Sequence, residues 1–128
     1  MVVTHHINGY EAFQEFIYNY DFQNKVVYVY FSGEKDPAGV SWCDDCNIAW
    51  PIVQKELTKL PKDAHFVIVE VGDQPTWKNP QCPFRKDPKT RLLVVPTLIR
   101  WGGPQRLEGE QLWKAELIEM MFTHEEED

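Results

Sequence analysis

Residues 41–46 read Ser41-Trp42-Cys43-Asp44-Asp45-Cys46, and in a chain of 128 residues with only three cysteines this places two thiols three positions apart behind a tryptophan. Cysteines at i and i+3 can close a small disulfide ring. If Cys43 opens a helix, its sulfur faces the unpaired backbone N–H groups and the positive end of the helix dipole, a location that favours the thiolate. A thiolate at Cys43 can attack a disulfide, and Cys46 can then displace the reduced product by closing the ring. Holding both thiols on one turn gives that second step a high effective concentration. The pair therefore predicts redox chemistry, with Cys43 as nucleophile and Cys46 as resolving thiol.

The carboxylates between them act in two directions. Asp44 and Asp45 suit a helix N-terminus, by about 0.3–1 kcal/mol each, yet they repel a thiolate at Cys43. At about 7 Å and an effective dielectric of about 60, the repulsion is roughly 0.8 kcal/mol per charge, or about half a pKa unit. The effects nearly offset, so Cys43 is expected only modestly below the free-thiol value of about 8.5. A less stabilised reduced form makes a better reductant. Asp45 is also placed to manage the proton on Cys46, although a plain helix N-terminal role is the simpler account.

Thirteen basic against twenty acidic residues leave a formal charge of −7, the wrong sign for a nucleic-acid backbone or an anionic membrane surface. No apolar run approaches the roughly 20 residues of a membrane span. The opening MVVTHHING has neither the basic start nor the apolar stretch of a secretory signal, so a reducing, cytoplasmic setting is expected. The length suits a single domain over residues 1–128, and the terminal run Glu125 to Asp128 reads as a solvated tail.

Working outward from the cysteines, Ile48, Ala49, Ile52, Val53, Leu57 and Leu60 fall at helical intervals. They give a helix about 27 Å long if it runs unbroken to Leu60. Pro51 should interrupt and kink it. Upstream, Val26 to Phe31 is an apolar run without polar alternation, as expected of a central strand, and the loop from Ser32 to Ser41 delivers the chain from it to the cysteines. A helix from about Gly9 to Tyr20 is expected behind an Asn8/Glu11 capping box, with His5 and His6 in a flexible start. Downstream, His65 to Val71 reads as a strand with Phe66, Ile68 and Glu70 on one side and Val67, Val69 and Val71 on the other. Gly72 to Thr90, rich in proline, reads as a folded loop with one short helix. Leu92 to Trp101 contains Pro96, which should mark the start of a strand. A short strand Gln105 to Glu108 and a helix from Glu110 follow, the helix burying Trp113, Leu117 and Met121 with Leu112 and Met120 beside them. Helices alternating with strands argue an α/β fold, a central mixed β-sheet flanked by helices on both faces.

Zinc is the main competing use of paired cysteines. A structural site needs four ligands, and beyond Cys43 and Cys46 the chain offers Cys82, His5, His6, His65 and His124 with no second CxxC. No metal is expected, and Cys82 reads as a packed or surface thiol.

Tryptophan before CxxC, a helix with proline five positions after the second cysteine, and a distant Val95-Pro96-Thr97 before a strand together resemble the thioredoxin fold. SGEKDPAGVSWCDDC (32–46), VGDQPTWKNP (71–80), FRKDPK (84–89) and VVPTL (94–98) are similar to the small thioredoxin-related proteins of the thioredoxin domain-containing protein 17 family. The resemblance implies a cytosolic disulfide reductase recharged by NADPH-dependent thioredoxin reductase. Its substrates would be cystine-like small disulfides and selected protein disulfides. It also implies a cis Pro96, which with Val95 and Trp42 would shape the substrate groove. A redox-active Cys43/Cys46 disulfide without bound cofactor, in a monomer, is the expected state. Two departures stand out: Asp44 replaces the family's usual proline, and Tyr30 stands where thioredoxins proper carry a buried acid. The competing reading is a binding module whose cysteine pair switches a signalling partner with little turnover.

Overall fold

The two apolar runs that lack polar alternation form the middle of a sheet. In the computed structural model, which describes residues 2–123, β2 (Val27–Ser32) is buried along its whole length and β3 (His65–Glu70) at all but its last position. The two pair in parallel, Tyr30 opposite Ile68. On the far side of β3 lies β1 (Val3–Asn8), also parallel; on the far side of β2 come β4 (Thr97–Arg100) and then β5 (Arg106–Glu108), both antiparallel to their neighbours. The resulting order is β1-β3-β2-β4-β5.

Side chains alternate across β2 and β3, which divides the core in two. Val27, Val29, Phe31, Val67 and Val69 share one cluster with Phe13 and Ile17 of α1 (Tyr10–Asn19). Trp77 of α3 (Gln74–Lys78) and Phe84 of α4 (Pro83–Lys86) belong to it as well. Tyr28, Tyr30, Phe66 and Ile68 share the other with Ala49 and Val53 of α2 (Asp44–Glu56) and Ile118 and Phe122 of α5 (Ala115–Thr123). This is the mixed sheet with helices on both faces, the thioredoxin fold. The β3 faces divide as the sequence pattern predicts.

Several elements differ from the sequence reading, each for a physical reason. His5 and His6 lie not in a flexible start but in β1, an edge strand in which only His5 and Ile7 are half-buried. Asn8 ends that strand opposite Glu70, so no capping box forms; Gly9 caps α1 at φ 88° without a side-chain bond. Pro51 does not break α2. It sits on the exposed side of the helix, where the carbonyl it leaves unpaired can be hydrated, and a 3₁₀ turn, Leu57–Lys59, ends the segment.

The Gly72 to Thr90 stretch holds two short helices. It is tied to α1 through Asp87, whose carboxylate accepts from Tyr10 Oη at 2.9 Å and from Gln14 Nε2 and the Lys89 N–H, each at 2.8 Å. Only residues 97–100 of the run from Leu92 are strand, beginning just after Pro96 as expected. The last helix starts at Ala115, after a 3₁₀ turn held by a Glu108/Gln111 capping box. Its core face is Ile118, Met121 and Phe122, while Leu117 is half-buried and Met120 is exposed. His124 and the acidic run from Glu125 lie outside the described residues.

Candidate active site

Cys43 is the N-cap residue of α2, at φ −91° and ψ 102°, reached from the end of β2 at Ser32 by the loop 33–42. Its Cα lies 5.2 Å from that of Cys46, and the two are joined as a disulfide. The Cys46 N–H points at Cys43 Sγ at 3.1 Å, so one of the unpaired donors of the first turn is spent on that sulfur. Of the pair, Cys43 keeps 7% of its surface exposed and Cys46 2%, which makes Cys43 the outer one. Donor and dipole act together on charge at Cys43, because a sulfur anion there would accept a charge-assisted bond at the helix N-terminus.

The strand-to-helix connection holds Cys43 by its main chain as well. Cys43 N–H donates to Ser41 Oγ at 3.0 Å, and the Cys43 carbonyl accepts from Asn47 N–H at 3.1 Å. The Asn47 side chain reaches back to Ser41, accepting from its N–H at 2.9 Å and donating to its carbonyl at 2.8 Å. Trp42 is half-buried and donates its indole N–H to Gly72 O at 2.9 Å. Gly33 lies against both neighbours: a Cβ there would stand 2.7 Å from Ser41 Oγ and 2.8 Å from Trp42 Cε2. Lys35 pairs with Ser41 across the loop, and its N–H donates to Glu70 Oε1 at 2.7 Å.

Val95 and Pro96 come to the same place from the other side. The Val95–Pro96 bond is cis, and Val95 O lies 3.6 Å from Cys43 Sγ, within reach of a thiol hydrogen in the reduced form. Leu93 and Val94, just before this bond, are exposed at 72% and 41%, leaving apolar surface one step from the sulfur. Asp44 and Asp45 are both exposed on the first turn of α2, and Asp45 O accepts from Trp113 Nε1 at 3.3 Å. The structure thus gathers all seven residues singled out in sequence: Trp42, Cys43, Asp44, Asp45, Cys46, Val95 and Pro96.

Tyr30 lies buried on the central strand β2. Its ring stacks near Phe66 and Trp50 in the α2 and α5 cluster, whereas both cysteines belong to the α1 cluster. Its hydroxyl is buried without a hydrogen-bond partner among the described residues, and burial pushes its pKa well up, so it stays protonated at neutral pH. Cys82 is unpaired and buried at the N-cap position of α4. Among the described residues no group of three or more His, Cys, Asp or Glu gathers to hold a metal, and no helix is long and apolar enough to cross a membrane. Ser41, Asn47 and Gly33 were not singled out in sequence; a serine two positions before an N-cap is the one local signal that could have suggested the first.

Comparison with known proteins places this geometry. Residues 6–124 match the family described as thioredoxin domain-containing protein 17-like, thioredoxin domain. Thioredoxin domain-containing protein 17 of Danio rerio is 44% identical over 93% of this chain and 94% of its own. The Homo sapiens protein of that name is 36% identical over the same shares. The thioredoxin-like protein Clot of Arabidopsis thaliana is 38% identical over 75% of each chain.

Proposed function

The chain belongs to the thioredoxin domain-containing protein 17-like family, and from that premise we propose that it is a dithiol–disulfide reductase whose Cys43 attacks and whose Cys46 resolves. Family membership and a bonded cysteine pair support a thioredoxin-like oxidoreductase. The finer reading rests on one observation, the Cys46 N–H directed at Cys43 Sγ on the first turn of α2.

In the reduced protein the Cys43 thiolate attacks one sulfur of a disulfide R–S–S–R′, forming Cys43–S–S–R and releasing R′S⁻. Cys46 then gives up its proton and attacks Cys43 Sγ, expelling RS⁻ and restoring the ring. Two electrons pass to the substrate. They are replaced from NADPH through thioredoxin reductase, with no cofactor bound to this chain. Trp42, Val95 and Pro96 wall the approach to the sulfur, and Asp44 and Asp45 tune its charge. The substrates are cystine-like small disulfides and selected protein disulfides, handled by a single-domain, cytoplasmic monomer.

The test is NADPH oxidation with thioredoxin reductase and cystine, comparing wild type with Cys43→Ser and Cys46→Ser. Loss of turnover in both variants is expected, with a trapped mixed disulfide in the second. Full turnover by Cys43→Ser ends this reading.

A further inference from the structure

We infer that Asn47 is a positioning residue for the Cys43 sulfur, acting through Ser41; the inference rests on the reading of the cysteine pair as a redox centre. Every polar group of Cys43 is held. Its N–H goes to Ser41 Oγ at 3.0 Å, its carbonyl receives Asn47 N–H at 3.1 Å, and its Sγ receives Cys46 N–H at 3.1 Å. The weak member of this frame is Ser41, which lies in the connection before α2, outside any strand or helix, with an isolated bridge to Lys35 across the loop. Asn47 supplies what is missing. Its amide oxygen accepts from Ser41 N–H and its amide nitrogen donates to Ser41 O, at 2.9 and 2.8 Å. Only one orientation of the amide satisfies both, since the flipped group would aim donor at donor and acceptor at acceptor.

Two bonds to the same residue, one to each of its flanking peptides, fix Ser41 where a single bond would leave it free to swing. The hydroxyl that reaches Cys43 is itself closed in, because Ser41 is buried and Gly33 packs directly against Oγ. Asn47 thus grips Cys43 twice, by its own main chain and, through its side chain, by way of Ser41. Without the amide the Ser41 peptides relax, Cys43 N–H loses its fixed acceptor, and Sγ drifts from the Cys46 N–H. That last bond stabilises the anion more than the neutral thiol, so the thiolate midpoint of Cys43 rises. A rise of about half a unit leaves about threefold less thiolate at neutral pH. The charged groups of the region, Asp44 and Asp45 on α2, Glu34, Lys35 and Asp36 in the loop, Glu70 on β3 and Glu110 in the turn before α5, keep their charges in every variant proposed.

The experiment is the rate of iodoacetamide labelling at Cys43, followed by mass spectrometry on dithiothreitol-reduced protein from pH 5 to 9. Asn47→Ala and Ser41→Ala should each raise the midpoint by about half a unit and slow labelling at pH 7 about threefold. The double variant should do no more than either single one, because the amide acts through the hydroxyl. Tyr10→Phe, which gives up its bond to Asp87 and touches none of the bonds that hold Ser41, Cys43 and Asn47, should lower the urea midpoint and leave the labelling profile in place. Should Asn47→Ala not fold, Asn47→Gln keeps both amide functions one methylene further out and must also raise the midpoint, by displacing Ser41. An unchanged midpoint in the folded Asn47 variant, or shifts that simply add, overturns the inference. A wild-type Cys43 that shows no titrating reactivity at all overturns the redox reading itself, and the inference with it.

Discussion

Replacing Gly33 by alanine tests whether the connection between β2 and the cysteines is packed as tightly as it looks. The new Cβ would meet Ser41 Oγ at 2.7 Å, Trp42 Cε2 at 2.8 Å and Trp42 Cζ2 at 2.9 Å, well inside ordinary contact. The hydroxyl and the indole must both give way. Forced overpacking costs about 1–3 kcal/mol, and displacing the ring also breaks its bond to Gly72 O, about 1 kcal/mol more. The loss should therefore be about 2–4 kcal/mol, a large part of the roughly 5–15 kcal/mol that holds a typical domain together. Because Ser41 moves too, chemistry should suffer beyond stability: a 1 Å misplacement can cost about a hundredfold, so at least about a tenfold fall in turnover is expected. Urea unfolding of the oxidised protein, followed by tryptophan fluorescence, reads the first quantity, and cystine-dependent NADPH oxidation reads the second. A loss below about 0.5 kcal/mol with undiminished turnover would show that Gly33 does not meet Ser41 and Trp42 as described.

Three further outcomes follow from single groups. Tyr30→Phe removes a buried hydroxyl with no partner among the described residues, so the variant should be as stable as wild type or up to about 1 kcal/mol more stable; a loss above that size in urea denaturation would mean the hydroxyl is bonded. His5 Nε2 and His65 Nδ1 lie 3.0 Å apart, and burial holds both rings below their usual 6.5, with His65 lowering His5 further and Asp63 opposing the shift at His65. The folded state resists protonation more than the unfolded one, so stability is full above about pH 6.5 and falls as pH drops through that value toward the lowered pKa. A urea midpoint that declines from pH 7.5 to 5 in wild type and less steeply in His65→Phe is expected, and identical slopes would contradict it. Asp44→Asn removes a charge beside the thiolate and should lower the Cys43 midpoint by about half a unit; a rise on iodoacetamide titration would show that the carboxylate helps rather than repels.

The sheet centre and the redox pair were legible because their signals are local. Val26 to Phe31 and His65 to Val71 are apolar on both faces, and a CxxC behind tryptophan carries its chemistry in its spacing. Edge elements were harder. The strand at Val3–Asn8 buries little, so its two histidines hide the period that would mark it. Pro51 is a strong breaker in isolation, yet it takes an exposed position in α2 and the helix continues through it. The last helix began late because Glu108 and Gln111 form a capping box around a 3₁₀ turn that mimics its first turn in sequence. Asn47 and Gly33 were invisible for a different reason. Each acts through a contact across a loop, and no spacing rule encodes which peptide a loop will present.

All of this turns on which sulfur carries the negative charge. Limiting iodoacetamide on the freshly reduced protein at pH 7, with the labelled peptides separated by mass spectrometry, answers that directly. Carboxamidomethylation at Cys43 well ahead of Cys46 is the expected result. Label arriving first at Cys46, or at both equally, would contradict it.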